Sequence, residues 1–546
     1  MNFSVNIKED IFWKKYVNND SILWIKGYMF SHNIDEVINV IENIKINEIE
    51  SFINSIDGRF SLAVIKDSFS CIAVDKIRSS PLFWIEDKNI IEISNDPNSL
   101  LIKVNGVIDN DAKLTLSMSG YTTGHRTIYK ELNSLLAGEV LIVDENNSQN
   151  LKRYHIYKPW RVIDKDYNYY LRKLECVTLS IFKKLLINVG SRQIVVPLSA
   201  GNDSRLVVSC LKHLGAKNVV CISYGSKGNF ESKISKNIAK KLGYKWYFHE
   251  LNHSEQRSFY NSIEFDNYFK FANSFISIPF FQGLSTVKYL RDNKLVDEDA
   301  VFIDGGGGDY ISGGHIKETL VNFKKNITND EKIELIHYEM FSKHFDLWQH
   351  LKTNKNSKLI NTIITKELEE FFSEKDIFSN IHGMFEYLEF YNRQSKYINS
   401  GQRCYEFYGF DWRLPLWDDE YIDFWEKVPV EYKFKQKLYI DMLQKTDWGG
   451  VWSNSFGVND RKITPFWIVP FRFFVKIFFV FFGQKGKRMW KQFDISFFHY
   501  WMNLTHQLSI FSYFYVVKGF KNGGKNLDSY VSKKYVDFIE NRKTKW

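Results

Sequence analysis

The sequence predicts a chain of mixed α/β and α+β class. It has a β-rich N-terminal domain, then an α/β domain on a doubly wound parallel sheet, then a helical C-terminal region. Three observations carry this expectation. Between about 20 and 155, short apolar runs are separated by turn residues. From about 170, strand-length apolar runs alternate with amphipathic stretches of helix length, the pattern of a parallel sheet with crossover helices. From about 320 to 450 the periodicity is helical, and beyond about 455 aromatic residues crowd together.

In chain order, FSLAVIKD and SCIAVDK read as neighbouring strands, and VNGVIDN and AGEVLIVDENN repeat their pattern. The polar stretch from Lys158 to Asn168, with Pro159 inside it, reads as a linker. YYLRKLECVTLSIFKKLLINV is an amphipathic helix, and RQIVVPLSAGNDSR is a buried strand running into a turn of small residues. LVVSCLKHLGA is a helix, NVVCISYG a strand, NFESKISKNIAKKLG a helix closed by Gly243, and AVFIDGG a further strand near 300. This divides the chain into domains at 1–160 and 170–450 and a tail at 455–546.

A chain of 546 residues accommodates two or three domains. Lys+Arg 73 minus Asp+Glu 64 gives +9, an excess spread along the chain that does not point to nucleic acid. The five cysteines, Cys71, Cys176, Cys210, Cys221 and Cys404, are odd in number and scattered. They suggest neither a disulfide framework nor a zinc site, and free thiols in a reducing cytoplasm are expected. MNFSVNIKEDIFWKK has no apolar run of the secretory kind, which fits a cytoplasmic location.

The sharpest motif is VVPLSAGNDSR, Val195 to Arg205. The strand ends at Leu198, and Ser199, Ala200 and Gly201 let the backbone turn tightly before Asn202, Asp203 and Ser204 open the next helix. Successive N–H groups at such a turn cradle an anion, helped by the helix N-terminus. Ser199 and Ser204 add hydroxyls, and Asp203 stands where a metal bridging phosphates needs a hard oxygen. No Lys follows, so this is not the phosphate loop of kinases and GTPases. A second strand-to-loop segment, VFIDGGGGDYISGGH, spans Val301 to His315; its glycines permit close backbone approach to a ligand, and Asp309 is held in the loop.

These segments resemble SGGxDS and GxGxDExxGGY of the asparagine synthetase family, whose ATP-pyrophosphatase domain is also found in β-lactam synthetases. The resemblance implies ATP and Mg²⁺ as cofactors. It implies an ATP site at Leu198, Ser199, Ala200, Gly201, Asn202, Asp203, Ser204, Ser223, Gly307 and Gly308, and metal ligation by Asp203 and Asp309. Ala200 replaces a family Gly, Tyr310 a Glu and His315 a Tyr. The acidic residue that opens the following helix is matched by Glu231, for which a plain helix-start carboxylate is the other reading. GFDWRLPLWDDEYIDFWEKVP resembles E-x-R-x-PFLD and matches Asp411, Arg413 and Asp418 to it; KFKQKLYIDML resembles K-x-x-L-R and matches Lys437 to the lysine that stabilises pyrophosphate formation. Asp411, Arg413 and Lys437 are thus the expected catalytic residues.

Ile56 to Trp84 resembles G-x-F-A…D…RDxxGxxPLYY of class II glutamine amidotransferases, Gly120 to Asp144 their GRT…PG stretch, and Arg153 opens a counterpart of RYW. This implies an αββα sandwich of the N-terminal-nucleophile type. That chemistry needs a terminal thiol, but position 2 is Asn2; Lys26-Gly27-Tyr28 stands for the NGE that grips glutamine, and Val74 for an Arg. The domain is expected to be a scaffold without glutaminase activity.

The stretch Pro465 to Phe493 is apolar but carries Arg472 and Lys476, which a spanning helix tolerates poorly. Two readings stay open: a hairpin packed on the ligase domain, and an interfacial helix at 465–490 making peripheral membrane contact through a basic flank at Lys485, Lys487 and Arg488. The expected activity is an ATP-dependent ligase that adenylates a small-molecule or glycan carboxylate and forms an amide with ammonia or an amine. The alternative is a non-catalytic nucleotide-binding scaffold.

Overall fold

The computed structural model describes residues 3–18, 20–87, 90–323, 327–452 and 464–541. Ten strands come first: β1 (Phe3–Asn6), β2 (Lys14–Asn18), β3 (Ser21–Met29), β4 (Gly58–Lys66), β5 (Phe69–Val74), β6 (Phe83–Asp87), β7 (Ile90–Ser94), β8 (Asn133–Ser134), β9 (Glu139–Asp144) and β10 (Gln149–Arg153). They form a four-stranded sheet, β1-β7-β6-β8, and a six-stranded sheet, β10-β9-β5-β4-β3-β2.

The period of two along each strand makes the layers. Leu62 and Val64 of β4 and Cys71 and Ala73 of β5 face Val37, Ile41, Ile49 and Ile53 of helices Ile34–Asn43 and Ile49–Ser55. The alternate residues, Ala63, Ile72 and Val74, face the other sheet and pack with Trp84, Ile91 and Ile93. Phe83 and Ile85 of β6 point outward to a cluster containing Leu100 and Leu116 of helices Pro97–Leu101 and Asn110–Ser119. This is the expected αββα sandwich.

Two details differ from expectation. VNGVIDN is not a strand: only Ile108 makes a bridge, to Tyr129, before Asp109 caps the helix that follows. The stretch expected to be a linker is pinned, because Tyr157 and Trp160 are fully buried and Trp160 donates to Glu374 (2.9 Å).

The second sheet comprises β11 (Ile194–Pro197), β12 (Val219–Gly225), β13 (Lys245–Glu250), β14 (Val301–Ile303) and β15 (Asp411–Arg413), ordered β13-β12-β11-β14-β15 and parallel throughout. The chain moves outward from β11 to β13, then returns to the other side of β11 for β14. The order therefore reverses between β11 and β14, and a crevice opens there beyond the strands' C-terminal ends, where such sheets bind ligands.

The two halves are joined by buried charge. Arg59 donates to Asp419 (2.7 Å) and to the Trp417 carbonyl, Lys26 pairs with Glu406 (2.7 Å), and the Arg413 guanidinium stacks 4.2 Å over the Tyr28 ring.

The tail is not one helix from 465 to 490. It breaks at Phe481–Phe482 into two helices, Val469–Val480 and Gly483–Met502, folded back on each other and clasped by Arg472 bonded through both nitrogens to Asp494 (2.7 and 2.8 Å). The second helix joins the main core through Tyr500, while its Phe498 and Met502 pack with Ile468 in a small cluster within the tail. The first does not bury its aromatics on the ligase domain: Phe471, Phe473, Phe474, Phe478 and Phe481 are all exposed. Among the described residues, no helix is long and apolar enough to cross a membrane.

Candidate functional site

Both motif loops leave the sheet at its switch point. After β11 the chain turns through Ser199–Gly201 into helix Asn202–His213, whose first turn has no side-chain cap. Its leading N–H groups are therefore available to an anion. The turn is braced from within: the Ser204 hydroxyl accepts from the Ser199 amide (3.0 Å), and Ser199 Oγ accepts from the Gly201 amide (3.1 Å). Arg205, where the resembled loop has a small residue, turns away and donates to the Ala200 carbonyl (2.6 Å).

The glycine loop after β14 lies directly on this turn. A Cβ on Gly308 would come within 2.5 Å of Asp203 Oδ1, and one on Gly305 within 2.8 Å of the Ser204 amide. Only glycine permits that approach. The Asp309 amide donates to Asp203 Oδ2 (2.9 Å) and Tyr439 OH to Asp203 Oδ1 (3.0 Å). Burial, with Asp309 close by, pushes the Asp203 carboxyl up to about 7. Burial also acts to raise Asp309, but His315 outweighs it and holds that carboxyl below its ordinary range. Two hard-oxygen carboxylates meet here, one of them destabilised by the other's charge, and their oxygens keep further lone pairs. That donor set fits a divalent cation such as Mg²⁺.

A cavity of about 320 Å³ adjoins this junction, lined by Ser199, Asp203, Ser204, Asp304, Gly305 and Gly306 with Tyr224, Phe280 and Trp417 as apolar walls. Asp304 is fixed by Tyr405 OH (2.7 Å) and accepts from the Gly306 amide (2.8 Å).

Several expected residues sit elsewhere. Leu198 and Ser223 support the loop rather than line the cavity: the Ser223 hydroxyl donates to the Leu198 carbonyl (2.7 Å) and is enclosed by Ser235 and Trp246. Asp411 lies at the wrong end of the sheet. In β15 it stands beside Val301, the first residue of β14, and pairs with Arg192 (3.0 Å) and Arg413 (2.9 Å). Arg413 is buried against Tyr28 and donates to Asn188 (2.7 Å), so its guanidinium serves the domain junction; only its carbonyl reaches the site, accepting from the Asp304 amide (3.1 Å). Asp418 caps helix Asp419–Glu426 and pairs with Lys184 (2.8 Å). Lys437 opens helix Lys437–Thr446 with its ammonium over the Tyr167 ring (4.9 Å), away from both aspartates.

Counting K-x-x-L back from buried Leu438 gives Lys435, not Lys437. Lys435 and Gln436 both have positive φ (56° and 61°), and this bend packs on the glycine loop: Gln436 donates to Ser312 Oγ (2.7 Å), and a Cβ on Gly313 would meet the Lys433 carbonyl.

The sequence reading also passed over Glu386 and Glu389, whose signal was two carboxylates in an otherwise apolar helix. Glu389 is fully buried and gathers His315 (2.6 Å), Lys343 (2.8 Å) and His344 (3.2 Å). His315 spans from Glu389 to Asp309 (3.2 Å), and despite its burial these acids raise its pKa to about 9, so it is a cation that braces the loop. Glu386 pairs with fully buried Lys433 (2.6 Å).

Residues 188–445 match the protein-family model described as Asparagine synthase. The chain carries an asparagine synthase domain. That domain contains both motif loops, Asp203, Asp309, Lys435 and the buried Glu386–Glu389 pair. No curated protein matches the sequence. Among solved structures, the NH3-dependent NAD synthetase of Campylobacter jejuni is 16% identical, with a TM-score of 0.20 over 40% of this chain and 94% of its own. The glutamine phosphoribosylpyrophosphate amidotransferase of B. subtilis is 7% identical, with a TM-score of 0.19 over 54% of this chain and 64% of its own. An allosteric regulatory enzyme of purine biosynthesis is 10% identical, with a TM-score of 0.18 over 42% of this chain and 61% of its own. The chain thus spans under two thirds of the last two structures.

Proposed function

We propose that this protein is an ATP-dependent ligase that adenylates a carboxylate, releases pyrophosphate and forms an amide bond with ammonia or an amine, without a glutaminase of its own. The observation that carries this reading is the seating of Gly308 on Asp203, which brings two phosphate-type loops together at the switch point of a parallel sheet. The open N-terminus of helix Asn202–His213 and the Ser199 and Ser204 hydroxyls hold the triphosphate, and the cavity walled by Tyr224, Phe280 and Trp417 takes the nucleoside. Asp203 and Asp309 hold Mg²⁺, which when bound supplies charge neutralisation to the phosphates. His315, itself held by Glu389, keeps Asp309 ionised and oriented for that task. Lys435, 70% exposed on the bend beside the glycine loop, is placed to add a cation as charge accumulates on the pyrophosphate. The acceptor is a small-molecule or glycan carboxylate. ATP–pyrophosphate exchange measured across a panel of carboxylic acids tests the reading; exchange with none of them sinks it.

A specific observation favours the alternative, a nucleotide-binding scaffold. Tyr310 fills the position of a family Glu, is fully buried, and has its hydroxyl tied to the Glu386 carbonyl (2.6 Å). The same exchange assay separates the two: the scaffold binds ATP and exchanges nothing.

The absence of glutaminase activity is expected from the N-terminal half. Asn2 lies outside the described residues, but Lys26 and Gly27 are within them. Lys26 is buried and paired with Glu406, and Gly27 (φ 116°) is pressed against the Arg59 carbonyl. Purified protein incubated with glutamine should release no glutamate. Release that persists in a variant disabled at Asp203 would overturn this expectation.

A further inference from the structure

A second cavity lies near the junction of the two halves, larger than the nucleotide cavity. It measures about 410 Å³ and opens between the sandwich and helix Ile263–Ala272, where six Lys and Arg side chains and only two carboxylates line it; of the six, Lys396 has its pKa depressed by burial to about 7. Both carboxylates are engaged by backbone: Asp10 accepts from the Phe12 and Trp13 amides, and Asp96 caps helix Pro97–Leu101. Lys26 and Arg403 share one counter-ion, Glu406, at 2.7 Å each.

Arg78 has no carboxylate within ion-pair distance among the described residues. It is 3% exposed, and its guanidinium donates only to neutral acceptors, the Leu135 carbonyl and Ser134 Oγ (both 2.7 Å). Glu139 and Asp75 act on it through space, but Glu139 is itself paired with His125 (2.8 Å) and Arg153 (3.3 Å), and the Asp75 carboxylate is taken up by the Phe60, Ile77 and Ser79 amides and the Ser79 hydroxyl. Burial accordingly depresses the Arg78 pKa to about 9, a large departure for a guanidinium. Its backbone is also costly. Arg78 stands at the Gly of the D-x-x-G pattern begun by Asp75 and keeps that position's left-handed conformation, φ 58°. A side chain there is strained, and such strain persists where the surroundings enforce it, often at binding sites. A strained, buried guanidinium without a counter-ion in a cationic cavity is the arrangement that an incoming anion completes.

We propose that this cavity is a binding site for a small organic anion, a carboxylate or a phosphate monoester, anchored by Arg78 and drawn in by Lys26 and Arg403. Lys26, which stands where the resembled family has its NGE, is part of the lining. The site abuts the nucleotide cavity: Ser400 and Arg403 line one while Gly401 and Gln402 of the same segment line the other.

The test is thermal shift and calorimetric titration of the full chain with succinate and with glycerol phosphate at constant ionic strength, NaCl serving as control. Arg78 lies outside the nucleotide loops, so the difference between wild type and Arg78→Gly separates the cavity from any anion binding at those loops. Saturable binding of either probe at millimolar concentration or tighter is expected, with at least a tenfold loss in Arg78→Gly. That variant restores the residue the left-handed backbone prefers, and Arg78→Lys, which keeps a cation, guards against a folding defect and should retain part of the binding. Binding of succinate alone assigns the carboxylate class, and of glycerol phosphate alone the phosphate class. Equal binding by wild type and Arg78→Gly, or a shift no larger than that of NaCl, overturns the proposal.

Discussion

Asp203→Asn and Asp309→Asn are each expected to lower Mg²⁺-dependent pyrophosphate release by about a thousandfold, or ~4 kcal/mol of transition-state stabilisation. The two aspartates come from loops 106 residues apart in sequence and are locked together, the Asp309 amide donating to Asp203 Oδ2. Neither substitution should unfold the protein. Asn keeps one oxygen for the Asp309 amide and turns its NH2 to the Tyr439 hydroxyl, which can accept, and removing the charge from Asp203 relieves the burial cost and the like-charge contact that raise its pKa. The melting temperature of Asp203→Asn without metal should therefore be unchanged or higher, and that of Asp309→Asn, which loses its ion pair with His315, slightly lower. Adding ATP with Mg²⁺ should stabilise wild type and not the variants, since a ligand stabilises only the state that binds it. Wild-type turnover in either variant refutes the metal assignment. Equal loss of melting temperature and turnover would mean that the residues only hold the loops together.

What was legible in the sequence follows from chemistry that is local along the chain. Strand, small-residue turn and helix start are contiguous from Val195 to Arg205, and strand, glycines and Asp309 from Val301 to His315, so each loop could be read whole. Their meeting could also be anticipated, because both follow strands of one parallel sheet. The split of β4 and β5 between two cores was not visible, because FSLAVIKD and SCIAVDK are apolar on both faces. Asp411 and Arg413 failed for a directional reason. They lie inside a three-residue parallel strand, and only the sheet register shows that Asp411 stands beside Val301 rather than beside Asp304. Lys437 opens the helix while Lys435 precedes it on a left-handed bend, so two lysines two residues apart reach different surroundings, Tyr167 and Glu318. Glu389 was invisible because its partners, His315, Lys343 and His344, come from segments that meet only in three dimensions. The tail's break was written as Phe482-Gly483, yet the surrounding apolar run hides one glycine in a helical pattern.

That tail yields the second large effect: wild-type protein should sediment with anionic phospholipid vesicles at low salt and remain in the supernatant at high salt. Helix Val469–Val480 presents Phe471 (70%), Phe474 (70%), Phe478 (62%) and, just beyond it, Phe481 (82%) to solvent. Phe471, Phe474, Phe478 and Phe479 form an apolar trough with Phe493. At 12 residues the helix is about 18 Å long, too short to span a bilayer but long enough to lie in its headgroup boundary. Arg472 does not oppose insertion, since Asp494 neutralises it. Exposed Lys485, Lys487 and Arg488 follow the hairpin bend and can meet anionic headgroups while the phenylalanines enter the acyl boundary. At about 1 kcal/mol per near-surface cation, the triple substitution of those three to Glu should cost at least ~3 kcal/mol, more than a hundredfold in partitioning. Added salt should act in the same direction by screening. Phe474→Glu with Phe478→Glu should abolish sedimentation even at low salt, because the apolar term is then lost. ATP turnover should be unchanged in both sets, since neither touches the switch-point cavity. Two outcomes defeat this expectation. One is wild type that stays in the supernatant with anionic vesicles at low salt. The other is a lipid-free dimer that the phenylalanine substitutions convert to monomer, which would make the aromatic face an interface between two copies of the chain.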